Sequence, residues 1–263
     1  MNEDGVVRRR DLPHIDVEGK ASFITACLHG SIPASGLKRI RAYREELKQK
    51  PRPESLSEAE WDLRKHKLVF KFVDSILDGE PPITHLADDR LASIVQNAFL
   101  HFAEERYHLY AFVVMPSHHH WLFLPKADWA EKFALSRLGN NRVRTPRESI
   151  SHSIQSYTGN QCNRLLEKTG PFWQIETFDH YARDEAEFFR IIQYIQLNPT
   201  VAGLVSRAED YPWSSACLRM KLGLKPGDAI PKSGIGFQPV DNPDDQTQAR
   251  SLCHMKPQLK NRE

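Results

Sequence analysis

The stretch from Tyr107 to Leu124 reads YHLYAFVVMPSHHHWLFL, and its three successive histidines sit inside what otherwise reads as two β-strands around a Met-Pro-Ser turn. Ala111 to Val114 before the turn and Trp121 to Leu124 after it are β-branched, aromatic or apolar, and Pro116 cannot donate to a ladder. The pattern predicts a hairpin. Successive side chains of a strand point to opposite faces, so His118 and His120 share one face while His119 takes the other. Two imidazoles on one face can hold one divalent metal ion. A run of histidines at a strand edge also arises by accident, so the metal reading needs a partner elsewhere in the chain.

The chain around this hairpin is 263 residues long, enough to bury a sizeable core as one domain with appendages. Lys and Arg number 36 against 34 Asp and Glu, so no global field announces a polyanionic ligand and any nucleic-acid surface must be local. Cys27, Cys162, Cys217 and Cys253 lie far apart with no CxxC pair. That excludes a zinc-ribbon pattern and fits buried thiols in a reducing cytosol. The polar start MNEDGVVRRRDLPH lacks the apolar run of a signal peptide, and no stretch is long enough to span a bilayer. The expectation is a soluble, cytoplasmic protein.

Residues 1–20 read as a charged arm, and Ala21 to His29 as the first strand. Leu37 to Lys50 is a helix pattern rich in Arg and Lys, stopped at Pro51-Arg52-Pro53. Ser57 followed by Glu60 has capping-box spacing before an amphipathic run to Leu77, and Leu86 to Arg106 is a further helix. These make residues of about 50–90 a helical insertion. After a short helix from Asp128 to Leu138, Arg137, Arg142, Arg144 and Arg147 form a basic loop, readable as a solvated loop or as a surface that tracks phosphates. Ser149 to Lys168 is helical, and Phe172 to Tyr181 alternates as a strand. Residues 223–263, rich in Gly, Pro, Asp and Gln, are expected to form a mobile tail.

Asp184 to Leu197 begins with acidic residues that suit a helix N-terminus, and its pattern stops at Asn198-Pro199. Phe188, Ile191, Ile192 and Ile195 form its buried stripe. Tyr194 falls off that stripe and Asn198 lies on the same flank, so a phenol and an amide point together from the edge of a buried helix. Taken alone, Tyr194 reads as a boundary tyrosine with its ring packed and its hydroxyl wet.

Five pieces occur in order: Val114 to His120, Ser156-Tyr157-Thr158, Gly170 to Gln174, Tyr194 to Pro199 with Ala202 to Val205, and Tyr211-Pro212-Trp213-Ser214-Ser215. Each alone is weak. The ordered set, over about residues 8–220, resembles the REP-associated tyrosine transposases, single-tyrosine transposases of the HUH superfamily. The resemblance implies an α+β, ferredoxin-like (RRM-like) antiparallel sheet with helices packed on it, formed by residues 21–222. It implies cleavage and rejoining of single-stranded DNA beside short palindromic hairpins. His118 and His120 would be the metal pair, Tyr194 the nucleophile, and Asn198 the position of a third polar ligand. Three positions depart from the family pattern: His119 stands where an apolar residue is usual, Ser117 where Asn is frequent, and Gln155 where a basic residue is common.

The chemistry follows from these residue types. A metal at the pair would withdraw charge from a phosphate oxygen, and the tyrosine would attack to give a 5′-phosphotyrosine and a free 3′-hydroxyl. The ion expected is Mg²⁺ or Mn²⁺, with no nucleotide cofactor. Candidate DNA contacts are Arg137, Arg142, Arg144, Arg147, Tyr157 and Trp173, with Trp121 as a further aromatic. Two other readings compete: a metal-dependent hydrolase using an activated water, and a non-catalytic module of the same fold that grips hairpin DNA or RNA. The protein would act as a monomer or homodimer.

Overall fold

The computed structural model describes residues 6–9, 13–79, 81–136, 144–175 and 177–232, with side chains from residue 17 onward. In chain order the strands are β1 (Val6–Arg9), β2 (Pro13–Asp16), β3 (Ser22–Cys27), β4 (Tyr107–Val114), β5 (His118–Pro125) and β6 (Phe178–Tyr181). The helices are α1 (Ala34–Gln49), α2 (Glu58–Leu77), α3 (Asp89–His101), α4 (Ala127–Leu135), α5 (Pro146–Leu165), α6 (Glu185–Val201) and α7 (Ser215–Leu222). Within the expected arm, β1 and β2 pair antiparallel, Val6 opposite Asp16.

The main sheet is antiparallel in the order β4-β5-β3-β6. Numbered among themselves its strands run 2-3-1-4, with helices crossing between the first and second and between the third and fourth. That is the ferredoxin-like arrangement. The histidine hairpin forms as expected, its turn closed by the Met115 N–H on the His118 carbonyl at 2.8 Å. The Pro116 carbonyl accepts from the Leu86 N–H at 3.0 Å, so a residue without a donor still ties the turn to the preceding segment.

Register assigns the two faces. His118 opposes Cys27, and His120 opposes Thr25 and Val113, so these side chains share one face with Phe23 and Phe178. His119, Trp121, Phe112 and Asp179 lie on the other. Helices α3 and α5 cover that second face: Phe99 stacks on Trp121 at 4.8 Å, and Arg147 of α5 pairs with Asp179 at 2.6 Å. The first face is covered by α6 and by α2 from the insertion. Burying each large apolar side chain in these layers stabilises by about 1.5–3 kcal/mol.

Helix starts follow their capping residues. Ser57 and Thr145 both form capping boxes, with Glu60 and Glu148, and Asp184 accepts the Glu187 N–H at 2.7 Å. Helix α6 does not stop at Asn198-Pro199 but runs through Pro199 to Val201. Proline in the last turn loses only one backbone bond there, and the Ala202 N–H still reaches the Asn198 carbonyl at 2.9 Å. The strand expected over Phe172 to Tyr181 shortens to β6, leaving Trp173 in an isolated bridge with Leu28.

The first ten residues of the expected tail, 223–232, are packed against the domain. The buried Arg219 guanidinium donates to the carbonyls of Tyr110, Lys225 and Asp228, and the wholly buried Ile230 bonds through its N–H to the Leu109 carbonyl at 2.7 Å. Residues 223–232 thus pack on β4, and 233–263 lie outside the described residues. Cys27, Cys162 and Cys217 are buried.

Candidate metal and nucleophile site

Strand β5 delivers His118 and His120 to the face beneath α2 and α6, and their Nε2 atoms face each other at 3.1 Å. Both are buried, at 1% and 0% exposure. The Ser117 hydroxyl donates to the Leu77 carbonyl at 3.3 Å, so the hydrogen shared with His118 Nδ1 at 3.0 Å comes from the imidazole. That tautomer leaves Nε2 of His118 as a lone pair. His120 Nδ1 lies 2.6 Å from the Thr25 hydroxyl, which suits either tautomer. With hydrogen on Nδ1, both Nε2 lone pairs face one point, an arrangement that repels unless a proton or cation lies between them.

Asp74 of α2 completes the cluster. Its Oδ1 lies 3.3 Å from His120 Nε2, and ligand atoms of Asp74, His118 and His120 all fall within 4.8 Å of one another. One turn further, Asp78 Oδ1 stands 3.8 Å from His118 Nε2. The Oδ1 atoms of Asp74, Asp78 and Asn198 are buried acceptors without a hydrogen-bond partner among the described residues. Imidazole nitrogens 3.1 Å apart suit adjacent ligands of one ion at bonds of about 2.0–2.1 Å. This donor set fits a divalent cation.

Tyr194 of α6 enters from the side. Its hydroxyl donates to Asp74 Oδ2, and its ring lies 5.3 Å from that of His120. Phe70 of α2 roofs the group, 5.8 Å from the Tyr194 ring, 6.2 Å from that of His120 and stacked on Phe178 at 4.2 Å. Tyr194, Asp74 and the His118–His120 pair are therefore together but covered by α2.

Burial sets the electrostatics. His118 is pushed down to about 3, first by desolvation and then by the neighbouring His120. Desolvation lifts Asp74, but the His120 ring beside it, His118 and the Tyr194 hydroxyl together hold it net below the usual carboxylate range. Asp78 rises to about 6 through desolvation and the Asp74 charge. Tyr194 is raised far above an ordinary phenol by burial and then by Asp74, with Asn198 opposing.

No family model matches the chain, and neither does any curated protein. Among solved structures the chain is similar to a REP-associated tyrosine transposase bound to a REP hairpin. The similarity covers 89% of this chain and 94% of that one, at 17% identity and a TM-score of 0.45.

The remaining expected residues scatter. Arg147 is buried at 4% exposure in its pair with Asp179, so it is not part of an open basic surface; a guanidinium this deep is retained by its partner carboxylate. Trp173 is buried and donates to the Thr158 hydroxyl at 2.9 Å, and Trp121 is core. Neither offers a ring face for stacking. Tyr157 is 53% exposed on α5, and Arg144 is exposed; Arg137 and Arg142 lie outside the described residues. His119 is buried between Phe99 and Trp173, ring centroids at 5.1 and 4.8 Å, yet neither ring nitrogen has a hydrogen-bond partner among the described residues. Asp74 is the residue that sequence reasoning missed. Its signal was present: it follows Phe70 by four residues and precedes Leu77 by three, a carboxylate inside the apolar stripe of an amphipathic helix.

Proposed function

We propose that this chain cleaves and rejoins single-stranded DNA next to short palindromic hairpins, with Tyr194 forming a covalent 5′-phosphotyrosine. The observation that carries this reading is the hydrogen bond from the Tyr194 hydroxyl to the same carboxylate that abuts the His118–His120 pair. The ordered sequence motifs support it independently. His118, His120 and Asp74 would hold a divalent ion, Mg²⁺ or Mn²⁺, with the partnerless Asn198 amide oxygen as a further donor. Such an ion, when bound, withdraws charge from a non-bridging phosphate oxygen.

The chain's own side chains do the rest. Burial and the Asp74 charge keep the phenol protonated, so removal of its proton has to accompany attack. Asp74 Oδ2 already accepts that hydrogen bond and is the atom to receive the proton as the Tyr194 oxygen bonds to phosphorus. The bond from phosphorus to the 3′-oxygen breaks, and that oxygen takes a proton from water. Reversal by a 3′-hydroxyl rejoins the strand. Because the Phe70 ring roofs the site, a strand reaches it only when that side chain turns aside, with α2 and its Asp74 left in place.

The test is a labelled single-stranded hairpin incubated with full-length protein and Mn²⁺, then resolved on a denaturing gel. A protein–DNA adduct is expected, absent from Tyr194→Phe. Cutting that survives in Tyr194→Phe means an activated water is the nucleophile. Binding without cutting under any divalent ion means the domain only grips the hairpin.

A further inference from the structure

Helices α2 and α6 meet at two polar points with the same offset. Lys67 donates to Glu187 and Tyr194 donates to Asp74, and in both pairs the partners are 120 residues apart. Lys67 precedes Asp74 by seven residues, as Glu187 precedes Tyr194. Equal offsets mean that the helices run parallel and in phase here, with about 10 Å of rise between the two contacts.

The upper contact is built around a buried charge. Glu187 is 3% exposed and also accepts from Arg183 Nε at 2.7 Å and from His180 Nε2 at 3.0 Å. Arg183 and His180 belong to the α6 and β6 side, so the carboxylate keeps two partners whatever α2 does. Lys67 is the donor that reaches it from α2. The apolar contacts of Phe70 are non-directional and tolerate axial slip, whereas a charge-assisted hydrogen bond does not. A slip of one residue, about 1.5 Å, is enough to part Asp74 from the phenol.

We infer that the Lys67–Glu187 pair sets the phase of α2 against α6 and so keeps the Asp74 carboxylate on the Tyr194 hydroxyl. Lys67 and Glu187 are then positioning residues. The inference rests on the reading of Asp74 and Tyr194 as site residues, and it makes the insertion a working part of the site.

The experiment uses full-length protein carrying 3-fluorotyrosine at its seven tyrosines, with the Tyr194 resonance assigned through Tyr194→Phe. In Lys67→Met, without DNA or metal, the Tyr194 resonance should move toward that of free fluorotyrosine while the other six stay. Lys67→Arg should restore it. Lys67 is 41% exposed and Glu187 keeps its contacts with Arg183 and His180, so the thermal midpoint should change little; should Lys67→Met not fold, Lys67→Gln is read in the same way. At saturating hairpin DNA, Lys67→Met should form adduct roughly tenfold more slowly, with the half-saturating DNA concentration unchanged. An unmoved Tyr194 resonance in the folded neutral variant overturns the inference. A wild-type protein that never forms adduct sinks the nucleophile reading instead, because the fluorine signal reports helix phase without any chemistry.

Discussion

Replacing His119 by leucine should make this protein more stable. The imidazole is 1% exposed, stands edge-on to Phe99 and Trp173, and has no hydrogen-bond partner for either ring nitrogen among the described residues. Leaving a buried polar group unsatisfied costs about 1–3 kcal/mol, so the two ring nitrogens together cost about 2–6 kcal/mol. Against this, the two edge-on ring contacts contribute about 0.5–1.5 kcal/mol each beyond area burial. Leucine is of similar size and restores apolar contact, so the net gain should be about 1–2 kcal/mol, or roughly 2–8 °C in thermal midpoint for a domain of this size. His118 and His120 point to the opposite face, so Mn²⁺ affinity should not change. Urea unfolding followed by far-UV circular dichroism is the assay: the midpoint should rise with the slope unchanged. A midpoint equal to or below that of the parent refutes the reasoning, because it means that the imidazole is satisfied.

Asp74→Asn removes the charge that faces both His120 and Tyr194, and isothermal titration should show Mn²⁺ binding weakened by about 10–100-fold. Unchanged affinity would exclude Asp74 as a ligand. Glu187→Gln tests the clasp through acidity. Desolvation raises Glu187, but His180, Arg183 and Lys67 together hold it well below an ordinary glutamate, so the folded pKa lies under the unfolded one. Its stabilisation is then fully present above about pH 4.5 and lost as pH falls below that. The variant should be less stable by roughly 3–5 kcal/mol at pH 7 and approach the parent near pH 3; a gap independent of pH would contradict the ion network. Arg219→Met strips the donor from the Tyr110, Lys225 and Asp228 carbonyls, and limited proteolysis should then cut within residues 223–232 well before the parent is cut there. Equal protection would mean that Ile230 and the contacts of Lys232 with Glu104 and Glu105 hold the segment without the guanidinium.

Local physics decided much of this molecule. The β-branched and apolar runs around Pro116, a capping box at Ser57 and the stripe of Phe188, Ile191, Ile192 and Ile195 follow from residue type and helical period, which neighbouring residues set without help from the rest of the chain. The facing of His118 with His120, and the exclusion of His119, are consequences of the strand pleat. Other outcomes needed tertiary contacts. Arg147 looks like its loop neighbours in sequence, and only the approach of α5 to Asp179 buries it. Residues 223–232 have no apolar period, and Arg219, Ile230 and the contacts of Lys232 with Glu104 and Glu105 fix them. Asp74 is 44 residues from His118, so its place beside the imidazoles and under Tyr194 depends on how α2 crosses the sheet. Sequence determines which side chains share a face of one element. Which elements bring their faces together is decided by packing across long separations, and that is where this site is assembled.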